Sequence, residues 1–325
     1  MRCRIVRLKF RSKILLFIHL KGEIQMIAKA IFVGLLAAVC SAVLYFALSA
    51  PKAVTPNPLG ALVADTINGR SVYLAAGCGG CHSAPQSSQV DNLILSGGQH
   101  FETPFGRFYA PNISMSVKNG IGRWPFADFE RAVRQGVSPD GAHYFPVFPY
   151  TAYQHMRDQD IVDLWGYWQS FPVADIKNQA HDLPLFLGFR RNIGLWKRVF
   201  MMQDWAISGD LNPDEQRGRY LAEALGHCSE CHTPRNAFGG LKRAQWLAGT
   251  KNPVGKGHIP NITPASLDWS VEEISEYLSS GFTPEFDTVG GHMVLVVENL
   301  AQLNPQDRNA IAQYLKAVPA VGVPQ

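Results

Sequence analysis

The chain predicts an all-α protein, in which an N-terminal membrane-spanning helix precedes a helical body that repeats itself once. Three observations carry this expectation. From Ile27 to Leu48 the sequence is almost wholly apolar, broken only by Lys29 and small residues. Downstream, apolar periodicity of the helical kind alternates with long loops, and strand-type alternation is nearly missing. The pattern C-x-x-C-H occurs twice, as Cys78-Gly79-Gly80-Cys81-His82 and Cys228-Ser229-Glu230-Cys231-His232. Each copy opens a similar stretch of roughly a hundred residues, a period that signals internal duplication.

The apolar run is long enough to cross a bilayer and exceeds the core of a cleaved signal peptide. Arg2, Arg4, Arg7, Lys9, Arg11, Lys13, Lys21 and Lys29 against Glu23 put most of the positive charge ahead of it. The first thirty residues therefore carry about +7 of a total of +4, which leaves the remainder about −3. Positive charge stays inside, so residues 1–26 are expected to be a basic cytoplasmic segment and residues 27–50 an anchor, with all that follows in the periplasm. Ala-Leu-Ser-Ala before Pro51 has the look of a cleavage site, but a proline directly after the cut is unfavourable, and the anchor is read as uncleaved. Met26 offers an alternative start to Met1. The near-neutral body gives no electrostatic footprint for nucleic acid.

Proline-rich residues 51–60 read as an extended tether. The pattern that follows runs twice. Gly69-Arg70 and Gly218-Arg219 lie in apolar-periodic helices before each motif, and Pro111-Asn112-Ile113 and Pro260-Asn261-Ile262 follow each motif histidine. Then come amphipathic helices at Phe126–Gln135 and Val271–Leu278, and closing helices at Asp160–Phe171 and Asp307–Val318. The expected organisation is a first domain over 61–172, a strap over 173–213, a second domain over 214–319 and a tail over 320–325. The strap's apolar stretch, with Pro184, Phe186, Phe189, Trp196 and Phe200, is too apolar for a free linker and suits a buried bridge better than a quinone site.

C-x-x-C-H is the attachment signature of c-type haem. Two thiols three positions apart on a short helix can each bond one vinyl group of a single porphyrin, and the adjoining histidine aims at the iron. The rivals are weaker. A thioredoxin-like pair needs a βαβ context that neither motif has. A shared zinc site must draw together cysteines separated by a whole repeat. A disulfide leaves the following histidine unexplained. Cys78, Cys81, Cys228 and Cys231 are therefore read as haem-attaching residues, with His82 and His232 as proximal iron ligands, for two covalently bound haem c groups.

Thr103-Pro104-Phe105-Gly106, Pro111-Asn112-Ile113 and Gly120-Ile121-Gly122-Arg123-Trp124 resemble segments of the membrane-bound cytochrome c subunits of periplasmic alcohol, gluconate and sorbitol dehydrogenases. So do the run from Gly226 to Asn236 and the strap around Asp182-Leu183-Pro184. The resemblance spans about Asp65 to Pro319 and implies two tandem class I cytochrome c domains that carry electrons away from a dehydrogenase. Those subunits commonly bear three haem motifs, so this chain looks like a shortened relative. Shorter diheme relatives also accompany molybdenum dehydrogenases of aldehydes and aromatic heterocycles.

The resemblance also places Met293, in Gly290-Gly291-His292-Met293, where the family puts its distal methionine, with His292 as an adjacent competitor. In the first half the family's Tyr-Pro-Ala-Met-Pro-Tyr is replaced by Phe145-Pro146-Val147-Phe148-Pro149-Tyr150, and phenylalanine cannot ligate iron. His143 is the leading substitute, and Met156, Met115 and His100 are the other candidates. Two haems of unequal potential are expected, the thioether-ligated second one being higher.

The expected function is thus a single-pass, inner-membrane electron-transfer subunit, not itself an enzyme. It would take electrons from a periplasmic dehydrogenase to a quinone, a cytochrome or an oxidase. The alternative is a diheme enzyme in its own right, a peroxidase or a thiosulfate-oxidising cytochrome. A haem-based gas sensor is weaker still, because no cytoplasmic output domain follows the anchor.

Overall fold

The computed structural model describes residues 2–52, 58–85, 93–253 and 257–322, with residues 2–20, 58 and 60 described by their backbone alone. It divides into two units, Met1–Ala50 and Pro51–Gln325. The first is one uninterrupted helix, α1 (Arg2–Leu48). No proline interrupts it, so the basic segment and the apolar run expected as separate pieces share one helix. Its portion Lys21–Leu48 is long and apolar enough to cross a membrane. Within the expected tether, residues 53–57 lie outside the described residues, and Pro58–Ala61 forms a 3₁₀ turn.

The second unit is mainly helical, and its elements come in matched pairs. In the first half these are α2 (Thr66–Ala75), α3 (Cys78–His82), α4 (Phe126–Gln135), α5 (Tyr150–Tyr153) and α6 (Asp158–Trp168). After α7 (Arg191–Phe200) in the strap come α8 (Pro213–Arg219), α9 (Ser229–His232), α10 (Val271–Ser280), α11 (Met293–Leu300) and α12 (Pro305–Ala317). Local chemistry sets the ends. Asp65 caps α2 by accepting from the backbone N–H groups of Ile67 and Asn68, and Asn212 with Glu215 and Ser270 with Glu273 close capping boxes on α8 and α10. α4 and α10 stop at Gly136 and Gly281, whose φ of 60° and 77° are left-handed. The closing helices begin two residues before the expected Asp160 and Asp307, and in α12 the reason is Pro305 at the first helical position behind an Asn304 cap.

α2 crosses α6 and α8 crosses α12, each at a glycine. A Cβ on Gly69 would lie 2.1 Å from the Asp163 carbonyl oxygen, and one on Gly218 would lie 1.9 Å from that of Ala310. Both obstacles are helix backbone, so the helices must part to admit a methyl group. Gly218→Ala is expected to destabilise the chain by about 1–3 kcal/mol, the scale of overpacking, read as a lower midpoint in thermal melts followed by circular dichroism. An unchanged midpoint would contradict the close crossing.

The halves differ in one telling place. Nine positions separate Gly69 from Cys78, but ten separate Gly218 from Cys228. The extra residue is taken up by a π-helical turn at Tyr220–Leu225, which keeps both the helix crossing and the attachment motif in register.

Two short ladders accompany the helices, so the body is not purely α. β1 (His100–Thr103) pairs antiparallel with β2 (Gly106–Tyr109), and β3 (Thr250–Lys251) pairs with β4 (His258–Ile259). Strands of two to four residues are too short to leave a periodic signal, and the first hairpin turns at Gly106 with φ of 122°.

One apolar core runs through both halves, joining Val72, Tyr73, Ile161 and Leu164 to Leu221, Leu225, Ile311 and Tyr314. The strap grips each half. Asp182 pairs with Arg107 by backbone bonds of 2.9 Å, Asn178 accepts from the Asn112 N–H, and the Trp196 indole donates to the Phe238 carbonyl at 2.8 Å. Only part of its apolar surface is covered, because Ile193 is buried while Leu185, Phe186 and Phe189 stand exposed.

Candidate haem-binding sites

Each C-x-x-C-H motif folds as one short helical turn, which brings its two cysteines to one side. The residue before each motif is left-handed: Gly77 has φ of 62° and His227 has φ of 40°. Glycine takes this shape freely, whereas histidine is strained there. The His227 ring packs edge-on against Tyr153, with centroids 5.7 Å apart.

Burial, and after it the neighbouring Cys81, pushes the Cys78 thiol up to about 12, and burial likewise takes Cys228 to about 12. A thioredoxin-like nucleophile needs its thiol lowered, and burial here acts in the opposite direction. Cys81 and Cys231 reach solvent, yet surrounding protein still raises both, and Cys231 adds to the rise at Cys81. A Cβ on Gly226 would lie 3.8 Å from the Ala75 carbonyl oxygen, so the two motifs are spatial neighbours despite the repeat between them in sequence. Among the described residues no three His, Cys, Asp or Glu side chains converge to hold a metal ion.

The two motif histidines are set in matching ways. His82 Nδ1 lies 2.8 Å from the Pro111 carbonyl oxygen, and His232 Nδ1 lies 2.8 Å from that of Pro260. A carbonyl only accepts, so each Nδ1 carries the proton and each Nε2 keeps its lone pair, the tautomer an iron requires. Burial lowers both imidazoles, which favours the neutral form. Behind them the chain is tied identically, with Gly97 N–H donating to His82 O at 2.7 Å and Gly249 N–H to His232 O at 2.8 Å. Ile113 and Ile262 donate to Leu95 and Leu247, each at 3.0 Å. A pair of C-x-x-C thiols beside an imidazole held in this tautomer fits a c-type haem at both sites.

Met293 opens α11, half-buried against the main core, and His292 beside it is exposed. Phe148 is also half-buried against that core. His143 is buried, with Nδ1 3.2 Å from Lys197 Nζ of α7, and its carbonyl accepts from Arg190. Met156 is buried beyond α5, Met115 sits on the loop that follows Pro111, and His100 lies exposed on β1.

Sequence patterns alone did not mark the residues that join the two sites. Tyr153 donates its hydroxyl to the Ala76 carbonyl at 2.7 Å while its ring meets His227. Tyr220 bonds Asp160 and accepts from the Arg157 N–H at 3.1 Å, and Thr151 donates to Glu230 at 2.7 Å. Glu223, buried in the π turn, accepts from Ala206 N–H at 2.8 Å and from the Tyr314 hydroxyl, and burial raises its carboxyl. Pro111 and Pro260 did leave a signal, being repeated at matching distances from the two motifs.

A helical body with two adjacent haem-type sites defines a c-type electron carrier. No family model matches the chain. Over 274 residues it is 48% identical to a diheme cytochrome c-type protein of Cereibacter sphaeroides, an alignment covering 84% of this chain and 93% of the relative. It is 35% identical over 282 residues to a subunit of the nicotinate dehydrogenase of Pseudomonas putida and 32% identical over 272 residues to the fructose dehydrogenase cytochrome subunit of Gluconobacter japonicus. Each alignment covers 82% of this chain, but only 22% and 55% of those two relatives. The chain belongs to the family of diheme c-type cytochromes and dehydrogenase cytochrome c subunits. It is an electron-transfer protein rather than a catalytic one, with an N-terminal apolar helix that is a candidate membrane anchor.

Proposed function

We propose that this chain is the membrane-anchored, periplasmic diheme carrier of a dehydrogenase complex, passing electrons to a quinone, a cytochrome or an oxidase of the respiratory chain. Residues 61–172 and 214–319 would be tandem class I cytochrome c domains joined by the strap. Each would hold one haem c through thioethers, at Cys78 and Cys81 and at Cys228 and Cys231. The observation that carries this reading is the pair of His Nδ1 bonds to Pro111 and Pro260 on neighbouring C-x-x-C-H turns.

The bound haem supplies the one-electron chemistry of its iron. The chain's own residues do the positioning. His82 and His232 would hold the two irons through Nε2, and Met293 would give the second iron a thioether ligand, which would raise its potential. Tyr153 and His227 pack between the two attachment turns and fix their separation. The positive charge ahead of the apolar run favours a cytoplasmic N-terminus and a periplasmic body. The nicotinate and fructose dehydrogenase relatives support a dehydrogenase partner, of either the heterocycle-oxidising or the sugar-oxidising kind.

Isolation of the native complex from membranes tests this directly. The co-purifying large subunit should be a dehydrogenase, and adding that enzyme's substrate should reduce the haems. Peroxide-dependent turnover by the chain alone, with no partner needed, would favour the independent enzyme instead.

A further inference from the structure

We propose that none of the described residues ligates the first haem iron on the face opposite His82, and that a small neutral diatomic molecule binds there, beside Phe148. This rests on the haem reading above. The structural register carries it. Tyr144 N–H donates to Gly136 O at 2.7 Å, and Val289 N–H donates to Gly281 O at 2.8 Å. Beside these bonds Val137 bridges His143 and Phe282 bridges Thr288. Five residues beyond these paired anchors stand Phe148 in one half and Met293 in the other. Both are half-buried against the same core. Phe148 therefore occupies the place of Met293, and its ring has no lone pair to give.

The other candidate donors are committed or misplaced. By the same register His143 corresponds to Thr288, five residues short of the ligand position, and its Nδ1 contacts Lys197. Lys197 in turn donates to Gln135 O at 2.5 Å and Gly136 O at 2.8 Å, which ties this corner to the strap. Met156 lies eight residues past Phe148, where the second half has Ala301. Met115 lies four residues past Pro111, where the second half has Pro264, and so has no counterpart at the ligand position. His100 lies exposed on β1 with its ring beside Tyr109.

The surroundings select the ligand's chemistry. Phe148 is ringed by Tyr144, Tyr150 and Tyr153, with centroids 6.1, 6.1 and 5.9 Å away. The Tyr150 hydroxyl donates to Tyr144 O at 3.2 Å and the Tyr153 hydroxyl to Ala76 O at 2.7 Å, so both are spent on backbone. The rings around Phe148 thus present mainly aromatic surface, which suits a small neutral ligand.

The test is a carbon monoxide titration of the full-length, dithionite-reduced holoprotein followed in the Soret band, with total haem measured as the pyridine haemochrome. The expected result is one carbon monoxide bound per two haems. Phe148→Met should abolish that binding and add a second thioether–iron charge-transfer band in the oxidised protein, and His143→Ala should leave the stoichiometry at one. A wild-type protein with two haems that binds no carbon monoxide overturns the proposal, as does binding that appears only in His143→Ala. A haem count below two would strike the haem reading itself, whatever the gas does.

Discussion

Replacing Met293 with alanine is expected to remove the thioether–iron charge-transfer band of the oxidised protein and to lower the potential of one haem. The drop should be at least ~0.1 V, a modest part of the roughly 0.8 V over which axial ligands move haem potentials. The residue opens α11, half-buried against the core, and the proposed ligand set assigns it to the same iron as His232, the histidine held by Pro260. Thioether ligation stabilises the reduced iron, so its loss shifts the balance toward the oxidised state. The exposed His292 next to it is the natural replacement ligand, and capture by imidazole would deepen the drop. If Met293 were only a core side chain, alanine would cost about 2–5 kcal/mol of stability and leave the band in place. Potentiometry and the long-wavelength spectrum separate the two outcomes.

Cys228→Ser combined with Cys231→Ser is expected to yield a mature protein that carries one haem, with the Soret absorbance per chain about halved. The consequence should not stay local. Leu221, Leu225 and Leu247 around the second motif belong to the same core as Val72, Ile161 and Leu164 near the first. Losing a large apolar group from that core should cost about 3–5 kcal/mol, the scale of deleting a buried Phe or Trp side chain, and lower the melting midpoint of the whole body. The remaining haem should also respond, because Tyr153 and His227 bridge the two turns. A protein that keeps its melting midpoint would show that the halves fold independently.

The candidate attachment turns were legible in the chain because their signature is local. C-x-x-C-H is five consecutive residues, and the Pro-Asn-Ile turns recur at nearly constant distances from the two motifs. Gly69 and Gly218 were visible as repeats, but not as the points where helices touch, since that role depends on Asp163 and Ala310 nearly a hundred positions away. The nearness of the two motifs was hidden for the same reason. It arises from long-range pairs such as Tyr220 with Asp160 and Thr151 with Glu230, which follow no periodicity. The π turn was implicit in one extra residue between Gly218 and Cys228, a signal readable only once both ends of the segment are known to be fixed. The hairpin at His100–Tyr109 escaped because its strands are four residues long. The contact between His143 and Lys197 depends on the fold of the strap, which no repeat announces.

The most direct test weighs the protein itself. Intact-mass spectrometry of the chain, produced in a host whose periplasm attaches c-type haem, should give the polypeptide plus two haems that survive denaturation. A mature product no heavier than its amino acids, or one that releases its haem on acid–acetone extraction, would contradict the account.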